Sequence, residues 1–414
     1  MAPTVAATTE PHPEAAGYRT LALAACTHLC EHLYVGVITI ILPVIAAAMG
    51  LSLAQVGLLV SVRSLGGGVL NLPSGFLADV WGRRKALLST ALLLIGLGFL
   101  FMSFAGGYWQ LMLFMTLGSL GVGMYHPQAM SILSDTYKTR RGFALGFHDT
   151  GGNTGEIMAP LATGLLLTAL SWQGTLRVWA VLPLAMAVAF FALARTSEQR
   201  RLSRGDIGRL FRSGVLRNAQ IRHMVALSVL RTMAQTAFVA FLPLYLTNQL
   251  HMGIGLVGFY LSVLFFAGSV SPSFAGWISD RMGRLPCLLA GLFITAVCIF
   301  MLPALAPGLA LGTGLIVLGV AMYALRPVIF ATAMESAPPE VGATIVGVLF
   351  TGNMGFSFLS PLIAGLLGDR FGLSLSLASI GVFPLAAAGV VAWHLLRGEA
   401  ATPLRSAEAK PHAP

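Results

Sequence analysis

The sequence predicts an all-α membrane protein: twelve transmembrane helices arranged as two pseudo-symmetric six-helix bundles. Three observations lead there. Of 414 residues, 56% are hydrophobic and 10% charged, with a mean hydropathy of +0.82. An ordinary soluble domain carries about 25% charged residues, so a soluble globular chain is excluded. Apolar runs long enough to cross a bilayer follow one another. Dividing 414 by twelve leaves about 34 residues per unit, room for a span of ~20–25 residues and a short loop. Distinctive residues also recur at an offset of 200–201. Backbone groups in hydrocarbon must bond internally, so the runs are helices; the alternation of a β-barrel is absent.

A polar tail, 1–17, precedes span 1 (18–49). Its apolar run starts near Leu21 and is too long for the core of a cleavable signal, so none is expected. Spans 2 (52–78), 3 (86–105), 4 (108–134), 5 (141–170) and 6 (174–195) complete a first bundle, 18–195. Residues 196–220 form the longest polar interruption and carry Arg200, Arg201, Arg204, Arg209, Arg212 and Arg217. Ile207, Leu210, Phe211 and Val215 recur there at helical spacing. That pattern predicts an amphipathic helix on the membrane surface; a solvated linker is the alternative. Spans 7 (221–248), 8 (253–279), 9 (286–305), 10 (310–335), 11 (342–367) and 12 (372–396) make a second bundle, 221–396, ahead of a tail, 397–414. The four cysteines, Cys26, Cys30, Cys287 and Cys298, sit in apolar stretches and spell no disulfide framework.

Charge sets the orientation. Twenty of the 25 basic residues lie in the tails, or in and beside the loops after spans 2, 4, 6 and 8. The opposite loops hold only Arg177 and Arg370, while Arg63, Arg231 and Arg326 lie within spans. The positive-inside rule therefore predicts cytoplasmic termini. The net charge of +10 follows from those loops, so nucleic acid is not an expected partner. Three lysines against 22 arginines point to a GC-rich bacterial genome and hence an inner membrane.

The two halves repeat. Gly75-Phe-Leu-Ala-Asp79-Val-Trp-Gly82-Arg83-Arg84-Lys85 follows span 2, and Gly276-Trp-Ile-Ser-Asp280-Arg-Met-Gly283-Arg284 follows span 8. Pro160/Pro361 and Gly164/Gly365 keep the same offset of 201; His126-Pro127/Arg326-Pro327 and Asp135/Glu335 are 200 apart. Duplicated six-helix halves around a midplane site are a transporter architecture.

The G-x-x-x-D-x-x-G-R-R-K loop, full after span 2 and degraded after span 8, resembles the signature of the major facilitator superfamily across the whole chain. The resemblance implies the major facilitator fold and a cytoplasmic gate of Gly75, Asp79, Gly82, Arg83, Arg84, Asp135, Gly276, Asp280, Gly283, Arg284 and Glu335. Asp135 and Glu335 are expected partners for Arg83/Arg84 and Arg284, latching that side in the outward-open state. His28-Leu29, Tyr125-His126-Pro127-Gln128 and Gly151-Gly152-Asn153-Thr154-Gly155 with Pro160 resemble the fosmidomycin-resistance branch, which implies proton-driven drug export. The chain departs from that branch at Glu31-His32, where Asn-Asp is usual, and at His148, Asp149 and Glu156. The Gly/Pro-rich antiporter motif of span 5 is partial.

A charge near the bilayer centre costs at least a few kcal/mol, so each needs a partner, a wet cavity or a function. Spans 3, 6, 9 and 12 have none inside, which predicts that they face lipid while the others line a cavity. Glu31, Asp149 and Glu156, with His32 and His148, are the proton-coupling candidates. Asp149 and Glu156, seven apart, share a face of span 5. Arg63, His126, Arg231 and Arg326 are the substrate-binding candidates. Arginine suits an anion because its charge is permanent and its fork matches carboxylate or phosphonate. Arg63 has an alternative as a structural partner of Glu31 or Glu156.

His28-Leu29-Cys30-Glu31-His32 spells H-x-x-E-H, the inverted zinc-protease pattern, with His28, Glu31 and His32 on one face. The segment lies in a spanning helix with no protease domain, so no catalytic zinc and no enzyme is expected. No P-loop is present, which argues against ATP drive. No cofactor is expected. The expected function is secondary transport, with proton-coupled export of a small anionic or amphiphilic organic compound leading. The alternatives are transport of a metal ion or chelate met by the histidines, and a non-transporting sensor. The expected partners are solute, protons and lipid, and the expected state is monomeric.

Overall fold

The computed structural model describes residues 13–196, 219–336 and 342–396. Twelve membrane passes emerge in chain order. The first half comprises α1 (Pro13–Met49), α2 (Leu53–Trp81), α3 (Arg84–Met102), α4 (Tyr108–Thr136), α5 (Arg141–Ala169) and α6 (Trp172–Leu193). The second comprises α7 (Ala219–Leu244, ending in a π-turn to Gln249), α8 (Ile254–Met282), α9 (Arg284–Met301), α10 (Leu309–Glu335), α11 (Gly342–Ser357) with α12 (Leu359–Phe371), and α13 (Leu373–Ser379) with α14 (Val382–Leu396). No strand occurs among the described residues. The amphipathic-helix reading of 196–220 and the tail beyond 396 fall outside them, save for Thr196, Ala219 and Gln220. Residues 13–17, expected as tail, belong to α1.

Local chemistry explains where the helices begin, end and break. Ser52 accepts from Gln55 N–H, and the Gln55 side chain accepts from Ser52 N–H, a capping box that starts α2. Gly82 ends α2 at φ +71°, a conformation L side chains resist, and returns its N–H to Ala78 O at 2.8 Å. The predicted single spans 11 and 12 are each two helices, and proline is the reason. Pro361 has no N–H for the Ser357 carbonyl, and the Ser360 hydroxyl takes it at 3.0 Å. Pro384 likewise leaves Ile380 O without its usual partner, and Phe383 N–H bonds it at 3.2 Å.

Ten helical segments are long and apolar enough to cross a membrane by length and composition; α4 and α5, which carry His126 and His148-Asp149-Glu156, are outside that set. Polarity there marks the site rather than a missing pass. α3 packs chiefly on α4 and α6, and α9 on α10 and α14, each within its own half. The halves meet mainly where α5 crosses α8 and where α2 crosses α11 and α12. The closest approaches sit toward the end away from the basic loops. A Cβ at Gly258 would strike Pro160 O, one at Gly57 would strike Pro361 O, and one at Gly365 would strike Leu53 O. Near the basic-loop ends of the same helices, Gly142, Gly146, Gly276 and Gly347 face open space. The cleft between the halves thus opens toward the basic loops.

Candidate functional site

The two repeated loops build the same ion cluster twice. Arg84, 1% exposed, donates to Asp79 Oδ1 at 2.8 Å and to Asp135 Oδ2 at 2.9 Å. Arg284, 200 positions on, reaches Glu335 Oε1 at 2.8 Å, Ser279 Oγ at 2.6 Å and Asp280. Each cluster ties three helices of one half together, α2–α3–α4 or α8–α9–α10. Arg83 is exposed at the N-cap of α3, so Arg84 alone meets both acids. Gly75 packs against Pro127, where a Cβ would lie 3.2 Å from the proline Cβ. Gly283 takes φ +94° at the α8–α9 turn.

A second constellation lies mid-membrane on α1, α4, α5 and α10. Glu156 Oε1 accepts from Tyr323 Oη at 2.9 Å, a bond from one half to the other. Glu156 Oε2 lies 3.6 Å from His32 Nδ1, and His32 Nε2 lies 3.5 Å from Glu31 Oε2. His126 Nε2 is 3.7 Å from the same Glu31 oxygen. A carboxylate–imidazole–carboxylate chain therefore runs from buried Glu31 through His32 to Glu156 and ends on the opposite half. Asp149 is exposed about two turns nearer the basic loops than Glu156. His148 is fully buried; its Nδ1 donates to Ala24 O at 3.1 Å, and its ring stacks on His28 at 4.1 Å.

The three intramembrane arginines differ in what holds them. Arg231 is buried, with Nε donating to Met322 O at 3.2 Å and Nη2 donating to Gln235 Oε1. Arg63 lies within electrostatic reach of Glu31 and Tyr34, but its Nη1 is buried without a hydrogen-bond partner among the described residues. Arg326 is exposed in the cleft, within electrostatic reach of Glu156, Asp149, His32 and His126. Among the described residues it has no hydrogen-bond or ion-pair partner.

Sequence reasoning missed Tyr323, Gln235, Ser262 and Asp369. Tyr323 stands three residues before Arg326 and Gln235 four after Arg231, spacings that place each on its arginine's helix face. Ser262 Oγ donates to Ile157 O at 2.6 Å and accepts from Leu161 N–H at 3.2 Å, beside Pro160 within the continuous α5. The Asp369 carboxylate, on α12, accepts from Leu53 N–H at 2.7 Å and Ala54 N–H at 3.0 Å, capping α2 across the interface between halves.

Two repeated six-helix halves around a polar midplane cleft define a multi-pass membrane transporter, not an enzyme. The chain belongs to the Major Facilitator Superfamily, whose family model matches residues 24–361. An uncharacterized MFS-type transporter, YfnC of Bacillus subtilis, is 25% identical over 380 residues, covering 89% of this chain and 91% of that protein. The fosmidomycin resistance protein of Escherichia coli is 22% identical over 373 residues, covering 88% and 90%. Among solved structures, a bacterial homologue of the human lysosomal transporter Spinster, inward-facing and occupied, superposes with a TM-score of 0.79 at 18% identity. That match covers 92% of this chain and 96% of the other.

Proposed function

We propose that the protein is a proton-coupled secondary transporter that exports a small anionic or amphiphilic organic compound across the bacterial inner membrane, as a monomer with both termini cytoplasmic. The observation that carries this reading is Arg326: a permanent cation in the cleft, within electrostatic reach of the Glu156 chain and with no acid paired to it among the described residues. An anionic solute would supply that partner. Glu156, bonded to Tyr323 across the halves and faced by His32, is the group whose protonation would be felt by both halves, which is what coupling requires. Arg231 is a supporting cation that positions Gln235 and α10. The Arg84 and Arg284 clusters, each formed within one half, brace the helix ends that border the cytoplasmic gate, and the open end at the basic loops makes this conformation inward-open. The likeness to the fosmidomycin resistance protein supports a phosphonate-like drug as first test solute.

Proteoliposomes with an imposed pH gradient test it, with fosmidomycin and a panel of organic acids as solutes. The parent protein should move one of them with the gradient. Glu156→Gln should lose gradient-driven accumulation while keeping solute binding. Arg326→Ala should weaken anion binding by roughly 1.5–3 kcal/mol, the range for a charge-assisted hydrogen bond, or about tenfold to a hundredfold. Gradient-driven transport at the parental rate by Glu156→Gln would remove the proton role. Undiminished anion affinity in Arg326→Ala would remove the solute role.

A further inference from the structure

Glu31 sits in a ring of imidazole nitrogens that hydrogen bonding does not account for. Its Oε2 lies 3.5 Å from His32 Nε2, 3.7 Å from His126 Nε2 and 4.0 Å from His28 Nε2. Glu31 is 3% exposed and His28 4%. Glu31 Oε2 and His28 Nε2 are both buried without a hydrogen-bond partner among the described residues. The backbone sets the tautomer of His28. Its Nδ1 donates to His148 O at 2.9 Å, so the neutral ring presents a lone pair at Nε2. A nitrogen lone pair and a carboxylate oxygen thus face each other in a buried setting, an arrangement that is unfavourable unless a cation stands between them.

We propose that His28, Glu31 and His32, with His126 as fourth donor, bind a divalent first-row transition-metal ion of the zinc, cobalt or nickel kind. Five features of the chain converge on it. The ligand atoms of His28, Glu31 and His32 all lie within 4.8 Å of one another. A tetrahedral ion with bonds of roughly 2.0–2.1 Å holds its ligand atoms roughly 3.3–3.4 Å apart, so the distances to Glu31 must close by roughly 0.1–0.7 Å, and His126, 3.7 Å from Glu31 but outside that group, must turn its ring inward to complete the set. The other ring nitrogen of His28 is held by a backbone carbonyl, as is usual for metal-ligating histidines. Gly152 makes room for the His28 ring, since a Cβ there would lie 2.6 Å from its Cε1. Three imidazoles and one carboxylate suit these metals over magnesium or calcium. The rings of His32 and His126, 26% and 33% exposed, give the ion a route in from the cleft. The site does not depend on the solute proposed above.

The test uses tag-free, full-length protein titrated with Co2+, whose visible absorption reports tetrahedral nitrogen–oxygen ligation. One Co2+ should bind per chain, saturably, and Zn2+ should displace it. His28→Ala, His32→Ala and Glu31→Gln should each weaken binding at least about tenfold. His251→Ala, outside the site in the α7–α8 turn, should not. If a ligand variant fails to fold, the parent titration decides alone. No saturable tetrahedral Co2+ in the parent overturns the site, and so does equal affinity in folded ligand variants and His251→Ala.

Discussion

At the residue scale, burial separates neighbours that the sequence makes look alike. Arg83 and Arg84 stand side by side in one motif, yet only Arg84 is enclosed, with Asp79 and Asp135 on its two nitrogens. Removing a buried charge that two acids share costs each acid a charged hydrogen bond, whereas trimming an exposed arginine changes little. Arg84→Ala should therefore cost about 2 kcal/mol, discounted because both acids keep some solvent. Arg83→Ala should stay within roughly 0.5 kcal/mol. Melting temperatures in detergent check the pair, and equal shifts would contradict the assignment. The same contrast explains what the sequence disclosed of the site. Glu31, His32, His126, Glu156 and Arg326 stand out because charge and imidazole are rare in apolar runs. Tyr323 and Gln235 do not, because neutral polar residues are common in spans and only their placement beside Glu156 and Arg231 distinguishes them. Nor could spacing tell that Arg231 is tied to a carbonyl while Arg326 is not.

At the element scale, the prolines within spans were visible, but neither the breaks near Pro361 and Pro384 nor the side chains that bond around them were. Pro160 leaves Glu156 O without its helical donor, and one residue on, Ser262 from the other half inserts between Ile157 O and Leu161 N–H and bonds both. Pro361 draws the corresponding answer from Ser360, whose hydroxyl bonds Ser357 O and Met233 O on α7. A serine in an apolar span reads as neutral filler until the opposing helix is known, so nothing in the sequence marked Ser262 as a contact between halves. Ser262→Ala removes this bridge between the halves, and because Leu161 N–H and Ile157 O stand four residues apart and can bond each other, the loss should be about 0.5–1.5 kcal/mol. Ser269→Ala, whose hydroxyl bonds only its own helix at Phe266 O, serves as the control. A thermal-unfolding comparison decides it: equal losses in the two variants would mean that the bridge to α5 contributes nothing. Helix number, order and repeat were legible because bilayer thickness and the 201-residue offset constrain them strongly. The splitting of spans 11 and 12 was not, because a proline inside a membrane helix is compatible with either a kink or a break.

At the scale of the whole molecule, the repeat is nearly symmetric, and the departures show what holds one conformation. The contact of Gly365 with Leu53 has its counterpart, 201 residues away on each side, in that of Gly164 with Ile254. Both pinch the cleft at the end away from the basic loops. Symmetry fails one turn on. Asp369 caps the N-terminus of α2 with two charged hydrogen bonds, whereas its counterpart Thr168 bonds only Leu165 O within α5. A carboxylate at a helix N-terminus satisfies donors that the helix cannot and meets the positive end of its dipole. Because the carboxylate and the helix belong to different halves, that stabilisation is present only while this end is closed. Asp369 should therefore bias the molecule toward the state open at the basic loops. Asp369→Ala should relax the bias by roughly 0.5–2 kcal/mol, the value of a lost cap, or about a twofold to thirtyfold change in the ratio of the two states. Asn keeps a cap-competent oxygen, so Asp369→Asn should shift the ratio much less. Spin labels at Phe104 and Leu309, exposed at this end on opposite halves, read the outcome directly. The distance distribution in lipid should gain a longer component in Asp369→Ala and little in Asp369→Asn. Identical distributions in parent and Asp369→Ala would mean that the helix contacts alone keep this end shut.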